Sequence, residues 1–363
     1  MKKQSQSVTS RHCHVGWLAG VLVVCVAFIC SSDATANANA NANANANAPE
    51  APVASSLAAV PEALKVDVAR FTEQRFDWFD SQRQRLVPAK LYLPASKRTT
   101  GSVPLVVFSH GIGGSRDGYS YLGQYFAANG YGSLHVQHVG SDRQLWFGNP
   151  LALPARLGSA AQSSEALDRV QDLRFALDEI LGGNQGALFD RGRIAAAGHS
   201  YGANTTMLIA GAQVELDGRK VALRDSRINA AILISAPPFY RMGEASKILA
   251  GVDVPTLHIT ATEDVIQIPG YLSGVEDRLE IFKATGNGIA APKVLAIFKD
   301  GSHSIFTDRT VTGGRYLNPR VKIATRQLAL AFLNGLPTRN YGAMDAWSLS
   351  NADLVARFEK RLP

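Results

Sequence analysis

Apolar runs alternate with amphipathic stretches along most of the chain. Two early runs, 71–79 and 87–93, alternate apolar and polar side chains and include Pro88, which predicts an antiparallel pair at a sheet edge. Helical periodicity is clearest over 164–181 and again over 320–333. Six further runs, rich in Val, Ile, Leu and Ala, predict strands buried on both faces: 103–109, 132–137, 193–198, 230–235, 256–262 and 294–299. This succession predicts an α/β fold with a mainly parallel central sheet and helices on both faces.

The N-terminal part of the chain does not share this pattern. After a basic start, an apolar run over 15–29 is short for a membrane span of about 20 residues, and small residues follow at 34–36. This order is typical of a secretory signal peptide, predicted here over 1–36, with an uncleaved membrane anchor as the alternative. An Asn-Ala repeat predicts a low-complexity linker over 37–59 and leaves 60–363 as one folded domain. We expect an exported protein, periplasmic or secreted; N-terminal sequencing of the exported chain tests this.

Charge and cysteine content narrow the function classes. The net charge is +7, but the basic residues are scattered rather than grouped with aromatic ones, which argues against a nucleic-acid partner. A weak attraction to anionic surfaces stays open, as does the oligomeric state. All three cysteines, Cys13, Cys25 and Cys30, lie in the predicted signal peptide, so the mature domain has no thiol for catalysis or zinc binding. The sequence predicts neither a metal site nor a cofactor.

The pentapeptide Gly198-His199-Ser200-Tyr201-Gly202 follows a predicted strand and precedes a run that can form a helix. G-x-S-x-G at a strand-to-helix turn is typical of a nucleophilic serine held in a strained backbone above a sheet. We therefore predict Ser200 as a nucleophile. The pentapeptide alone is common; what gives it weight is a glycine-rich loop at 109–114 and polar residues after two later strands.

A serine hydroxyl needs a base within hydrogen-bond reach, and the base needs an orienting acid. His303 follows the last predicted strand and is the predicted base, with His138 as the alternative. The predicted acid is Asp264, with its neighbour Glu263 as the alternative. Both carboxylates follow the predicted strand 256–262.

The backbone N–H groups of Ile112 and Tyr201 are the predicted oxyanion hole, because one lies in the glycine-rich loop and the other directly follows the nucleophile. Apolar side chains in loops that should surround the site are the predicted substrate contacts: Trp146, Phe147, Phe239, Ile266 and Phe306. The segment 141–162 is predicted to be a loop over the site.

The order of oxyanion loop, serine, acid and histidine, each after a strand, resembles the α/β-hydrolases. Across about residues 70 to 335, the blocks 103–116, 198–210, 260–269 and 301–308 resemble bacterial dienelactone hydrolase-like proteins related to platelet-activating-factor acetylhydrolases. The resemblance implies the α/β-hydrolase fold and a Ser-His-Asp triad.

This chain departs from those families in two respects. No carboxylate follows the strand after the nucleophile helix, where the acetylhydrolases place their acid, and this favours Asp264. Ser200 stands where authentic dienelactone hydrolases have a cysteine.

The predicted function is a serine carboxylic-ester hydrolase that forms an acyl-enzyme on short-to-medium acyl or aryl esters. Its partner would be a small-molecule ester or a lipid-like substrate. Four alternatives stay open at this point: a lipase or phospholipase-type acetylhydrolase, a polyesterase, an amidase or peptidase, and a catalytically inactive binding protein.

Overall fold

A computed structural model describes residues 64–95, 102–216, 218–239, 242–268, 271–286, 291–310 and 312–363. The predicted signal peptide, 1–36, and the predicted linker, 37–59, lie outside the described residues. Within the described ranges, no helix has the length and apolar character needed to cross a membrane.

Nine strands of the described chain form one twisted sheet, and four more form two short hairpins. In chain order the strands are β1 (Phe71–Asp80), β2 (Arg85–Pro94), β3 (Val103–Ser109), β4 (Gly132–Val136), β5 (Phe189–His199), β6 (Gln213–Leu216), β7 (Arg219–Ala222), β8 (Ile228–Ile234), β9 (Thr256–Glu263), β10 (Ile266–Ile268), β11 (Tyr271–Ser273), β12 (Lys293–Ser302) and β13 (Val355–Arg361). The order across the large sheet is β1-β2-β4-β3-β5-β8-β9-β12-β13. The six inner strands, from β4 to β12, are parallel, and antiparallel strands close both edges.

Helices cover both faces of this sheet. They are α1 (Ser120–Ala128), α2 (Leu153–Ala160), α3 (Ser163–Gly182), α4 (Tyr201–Ala210), α5 (Ala245–Ile248), α6 (Val275–Ala284), α7 (Gly314–Thr338) and α8 (Gly342–Ser350). Apolar residues of α3, α4 and α6 belong to one core cluster, and those of α1, α7 and α8 belong to a second cluster on the opposite face. This is the doubly covered, mainly parallel sheet of the α/β-hydrolase fold, and the predicted fold class is confirmed.

The strand order reverses between β3 and β5, because the chain leaves β3 for β4 on one side and returns to β5 on the other. Ligands of open α/β sheets bind at such a switch point, beyond the carboxyl ends of the strands. Here that point brings together the loop after β3, which begins at His110, and the turn after β5, which contains Ser200.

Among the differences between the structure and the predicted elements, three concern the sheet edge, helix α7 and the segment 141–162. Strand β13 was not predicted, and it pairs antiparallel with β12 at the sheet edge. Helix α7 begins at Gly314, ahead of the predicted start at residue 320. The segment 141–162, predicted as a loop, contains α2 and two short 3-10 turns, Arg143–Trp146 and Pro150–Ala152.

Candidate active site

Ser200 occupies a single-residue turn between β5 and α4, with φ of 55° and ψ of −124°. This conformation is rare for a residue with a side chain and is held by the elements around it. A Cβ on Gly202 would lie 2.0 Å from the carbonyl oxygen of Ser109, and a Cβ on Gly198 would lie 2.2 Å from that of Gly202. Glycine at these two positions therefore lets β3, β5 and α4 converge directly beneath Ser200.

Three side chains from separate elements meet at this turn. His303 Nε2 lies 2.8 Å from Ser200 Oγ, and His303 Nδ1 lies 2.7 Å from Asp264 Oδ1. Asp264 follows β9, and His303 begins the short 3-10 turn that follows β12. Because β9 and β12 are parallel neighbours, their carboxyl ends deliver the carboxylate and the imidazole to the same edge.

Asp264 is completely buried. Burial by itself raises the pKa of Asp264, but the His303 imidazole, the Arg278 guanidinium and the Thr260 hydroxyl outweigh it and hold that pKa well below its usual range. Thr260 donates to Oδ2 at 2.6 Å, and an Arg278 nitrogen lies 3.4 Å from Oδ1. The carboxylate is therefore ionised at neutral pH and can orient and stabilise a protonated His303.

A second histidine, His199, holds the backbone of His303 in place. Burial is the main cause that lowers the pKa of His199 to about 3, so its imidazole is neutral. His199 Nε2–H donates to the backbone carbonyl of His303 at 2.9 Å, and the Tyr119 hydroxyl donates to Nδ1 at 2.8 Å. This tautomer satisfies both ring nitrogens and ties β5 to the turn that carries His303.

In the loop after β3, the backbone N–H of Ile112 is uncommitted among the described residues. Gly113 N–H donates to the carbonyl of Ser141 at 2.8 Å, and Gly114 N–H closes a turn onto Gly111 at 3.0 Å. Within the described chain, Ile112 N–H has no backbone acceptor. Tyr201 is the first residue of α4, where a helical N–H has no intrahelical partner. The sequence predicts these two N–H groups as the oxyanion hole, and that role stays a prediction.

Above Ser200 lies a pocket of about 500 Å³ whose lining is mostly apolar. The predicted residues Ile112, Tyr201, Trp146, Phe239 and Ile266 all line it, together with Ser200 and His303. Trp146 also donates its indole N–H to the carbonyl of Gly113 at 2.9 Å, so it anchors the glycine-rich loop. Six of the lining residues are apolar and lie on α3, α4, β6 and the loop after β8; we call this group the apolar branch of the pocket: Ala166, Leu167, Leu208, Val214, Phe239 and Met242.

Two predicted substrate contacts are wrong. Phe306 is fully buried in the core, with its ring 6.1 Å from that of Phe298, because the 3-10 turn after β12 directs it toward the sheet and α7. Phe147 lies outside the residues that line the pocket and is 64% exposed, since it directly follows the 3-10 turn that ends at Trp146.

The alternative acid and base do not reach Ser200. Glu263 is exposed, while its neighbour Asp264 contacts His303. His138 is buried, with Nε2 2.9 Å from Ser109 Oγ and Nδ1 3.0 Å from Asp172. Both its nitrogens are therefore committed away from the pocket.

Sequence reasoning missed several buried residues around the site, among them Thr260, Arg278, Tyr119 and Arg169. One of these has a visible signal. Arg169 interrupts the apolar stripe of α3, and a charge on a buried helical face needs a specific partner. Within the described ranges, no group of three or more His, Cys, Asp or Glu residues is arranged to hold a metal ion; the predicted absence of a cofactor stays a prediction.

The sequence model of one protein family, described as platelet-activating factor acetylhydrolase, isoform II, matches residues 82–143. No curated protein matches the chain significantly. The matched segment runs from the turn before β2 through the oxyanion loop to the 3-10 turn that contains Trp146. It includes Ile112 but not Ser200, Asp264 or His303. The wider resemblance to dienelactone hydrolase-like proteins stays a prediction.

Proposed function

We propose that this protein is a serine ester hydrolase with Ser200 as nucleophile, His303 as general base and acid, and Asp264 as the orienting carboxylate. One observation carries the proposal. A serine in a strained turn and a histidine 2.8 Å from it line a mostly apolar pocket, and a buried carboxylate lies 2.7 Å from the other ring nitrogen of that histidine. The match to an acetylhydrolase family supports the same reaction class.

Acylation begins when Ser200 Oγ attacks the ester carbonyl carbon and its proton passes to His303 Nε2. The carbonyl oxygen becomes an oxyanion, which accepts hydrogen bonds from the N–H groups of Ile112 and Tyr201. Asp264 stabilises the imidazolium through Nδ1–H. Collapse of the intermediate breaks the ester C–O bond, and the leaving alcohol takes the proton from Nε2. Water repeats the sequence on the acyl-enzyme and releases the acid.

The shape of the pocket supports an acyl chain as the buried part of the substrate. Ser200 and Leu208 both line the pocket and are eight residues apart along α4, which corresponds to about 12 Å at 1.5 Å per residue. The six side chains of the apolar branch offer a hydrophobic surface, so each methylene of a substrate buried against them would gain about 0.8 kcal/mol. We therefore assign medium-length acyl esters as the preferred class.

A second candidate is a phospholipase-type acetylhydrolase, which removes a very short acyl group. The family match over residues 82–143 favours it, whereas the length of the apolar branch favours the first candidate. The two differ in how the rate depends on acyl-chain length.

The test is hydrolysis of p-nitrophenyl esters from acetyl to dodecanoyl by the wild type and by Leu167→Trp, which narrows the branch. We expect the wild-type kcat/KM to rise toward medium chains. Leu167→Trp should lose about tenfold or more on octanoyl ester, since several methylenes lose their site, and keep its acetyl activity. Phe175→Trp is the matched control, because Phe175 is on the same helix, is partly buried and does not line the pocket.

Three other results would redirect the assignment. A wild type that prefers acetyl ester and a Leu167→Trp variant with an unchanged chain profile would favour the acetylhydrolase. Faster cleavage of the matching anilides would indicate an amidase. No hydrolysis of any ester would contradict the proposed function.

A further inference from the structure

Arg169 of α3 has no exposed surface, yet it contacts three other segments of the chain. Its Nε donates to Thr205 Oγ1 at 3.0 Å, and its Nη1 donates to Ser141 Oγ at 2.7 Å. Its Nη2 donates to Ser109 Oγ at 3.0 Å and makes a short bond to the carbonyl of His110. One guanidinium therefore joins the nucleophile helix, the loop after β4 and the start of the oxyanion loop.

Both proposed oxyanion donors are adjacent to atoms that Arg169 holds. Ile112 lies two residues beyond the His110 carbonyl in the same loop. The ring of Tyr201 stacks on the guanidinium, whose carbon is 4.5 Å from the ring centroid. The planar, charged guanidinium can meet a carbonyl at its edge and an aromatic ring on its face at once, which an ammonium group does less well.

A second buried series of hydrogen bonds, Ser109-His138-Asp172, orients the Arg169 guanidinium. Burial is the main cause that holds the pKa of His138 well below its usual range, so the ring is neutral. Asp172 accepts from Arg83 at 2.8 Å and from Arg85 at 3.0 Å, and it therefore takes the Nδ1–H of His138. His138 Nε2 then accepts the hydroxyl proton of Ser109, whose oxygen accepts from Arg169.

The charge of Arg169 is balanced indirectly. Ser141 Oγ accepts from Arg169 and donates to Glu165 Oε1 at 2.6 Å. Glu165, Arg169 and Asp172 lie on the buried face of α3, each about one helical turn after the one before. Burying polar and charged groups on a helix face is costly unless each group has its partners. Here the partners of Arg169 belong to the segments that form the site, namely α4, the loop after β4 and the loop after β3.

We propose that Arg169 is a positioning residue that sets the spacing of the two oxyanion donors, by holding the His110 carbonyl and the Tyr201 ring at fixed places. This inference rests on the proposed ester hydrolase function. The Ser109-His138-Asp172 chain serves the same purpose, because it orients Arg169 and takes no part in proton transfer to substrate.

The experiment compares Arg169→Met and Arg169→Lys with the wild type. Active sites are titrated with a fluorophosphonate, and kcat and KM are measured per titrated site on octanoyl ester. The inhibition constant of a trifluoromethyl ketone with the same alkyl chain is measured in parallel. This ketone adds to Ser200 Oγ, passes the serine proton to His303 and places an oxyanion in the hole, so it reports the hole independently of enzyme concentration.

For Arg169→Met we expect kcat to fall about 10²-fold, as when an oxyanion donor is lost, and KM to stay within about twofold because the ground state does not use the hole. The ketone inhibition constant should rise by about the same factor as kcat falls. Arg169→Lys keeps the positive charge but not the planar guanidinium with its several N–H donors. It should lower kcat and raise the ketone inhibition constant by smaller factors.

Arg326→Met is the matched control. Arg326 is also buried, donates to a backbone carbonyl, that of Leu64, and lies 4.6 Å from the Tyr125 ring, on the far face of the sheet. It should lose stability without a change in kcat per titrated site or in the ketone inhibition constant. If Arg169→Met does not fold, Arg169→Lys and Ser109→Ala give the same test.

An unchanged ketone inhibition constant in a folded Arg169 variant would overturn the inference while leaving the hydrolase proposal intact. A wild type that neither hydrolyses esters nor binds the ketone would overturn both. A fall in activity per total protein that matches the loss of titratable sites, with kcat per titrated site and the ketone inhibition constant unchanged, would show that Arg169 supports the fold alone.

Discussion

Two adjacent carboxylates at the carboxyl end of β9 have opposite environments. Asp264 is fully buried, takes hydrogen bonds from His303 and Thr260 and lies beside Arg278, whereas Glu263 is exposed. A neutral amide at residue 264 would keep the shape but remove the charge that stabilises the imidazolium and fixes its tautomer. The two neighbours therefore make a matched pair for mutation.

We expect Asp264→Asn to lower kcat by about 10³- to 10⁴-fold on an ester substrate, with the protein still folded. Glu263→Gln should change kcat less than about twofold, since water screens the charge of the exposed Glu263 carboxylate from His303. Steady-state kinetics with circular dichroism as the folding check measures both. A severe loss in Glu263→Gln together with a mild one in Asp264→Asn would reverse the assignment of the acid.

The side chains of the proposed triad could be predicted because each one follows a recognisable strand in a fixed order. Thr260, Arg278 and Arg169 could not be assigned roles in the same way. Each reaches the site through contacts that are distant in sequence or hidden on a buried face, and none belongs to a local motif. Phe306 was misassigned because sequence position gives proximity to the site, not the side of the turn on which a ring lies.

At the scale of elements, the site depends on how closely β3 and β5 approach α4. Gly202 is the point of contact, where a side chain would overlap the carbonyl of Ser109. Gly182, the last residue of α3, has open space around it, with no neighbouring atom within 4 Å of where a Cβ would lie. The same substitution at these two helical glycines should therefore have opposite effects.

Gly202→Ala should lower the free energy of unfolding by about 3 kcal/mol, the upper range for overpacking a close contact, and should lower kcat as the turn shifts. Gly182→Ala should leave kcat unchanged and raise the free energy of unfolding by up to about 1 kcal/mol, because alanine is the better helix former. Urea unfolding measures both. Equal stabilities of the two variants would contradict the close convergence at residue 202.

The inner strands were predictable because strands buried on both faces carry continuous apolar runs. Strand β13 was not, because it is an edge strand whose residues are largely half-exposed, so its pattern is weak. The early start of α7 was also missed. Pro319 lies inside that helix, although a proline normally marks the first helical turn.

At the scale of the whole molecule, five histidines of the described residues, apart from His303, are buried and neutral: His110, His135, His138, His199 and His258. Burial is the main cause that lowers each pKa, to about 3 for His135, His199 and His258 and well below the usual range for the other two. In the unfolded chain the pKa of each histidine is about 6.5. Between these values the unfolded state binds more protons, so stability rises with pH and is lost as pH falls below about 6.5.

We expect the free energy of unfolding to drop between pH 7 and pH 5, by on the order of 1 kcal/mol per pH unit for each histidine once below its unfolded pKa. His258 is remote from Ser200 and has Thr256 Oγ1 at 3.1 Å. His258→Asn should reduce the dependence of the free energy of unfolding on pH by the equivalent of about one proton. Thr256→Val, which removes only the hydroxyl beside His258, should leave this dependence unchanged. Urea midpoints across this pH range measure the slope. The same slope in His258→Asn as in the wild type would contradict this account.

The most direct test of the central claim is covalent labelling of Ser200. The folded protein is incubated with a fluorophosphonate and analysed by intact mass and peptide mapping, alongside Ser200→Ala, which removes only the hydroxyl. We predict one phosphonate per wild-type chain, on the peptide that contains Ser200, and neither label nor ester hydrolysis in the alanine variant. Equal labelling of both proteins, or a label mapped to another residue, would contradict the claim.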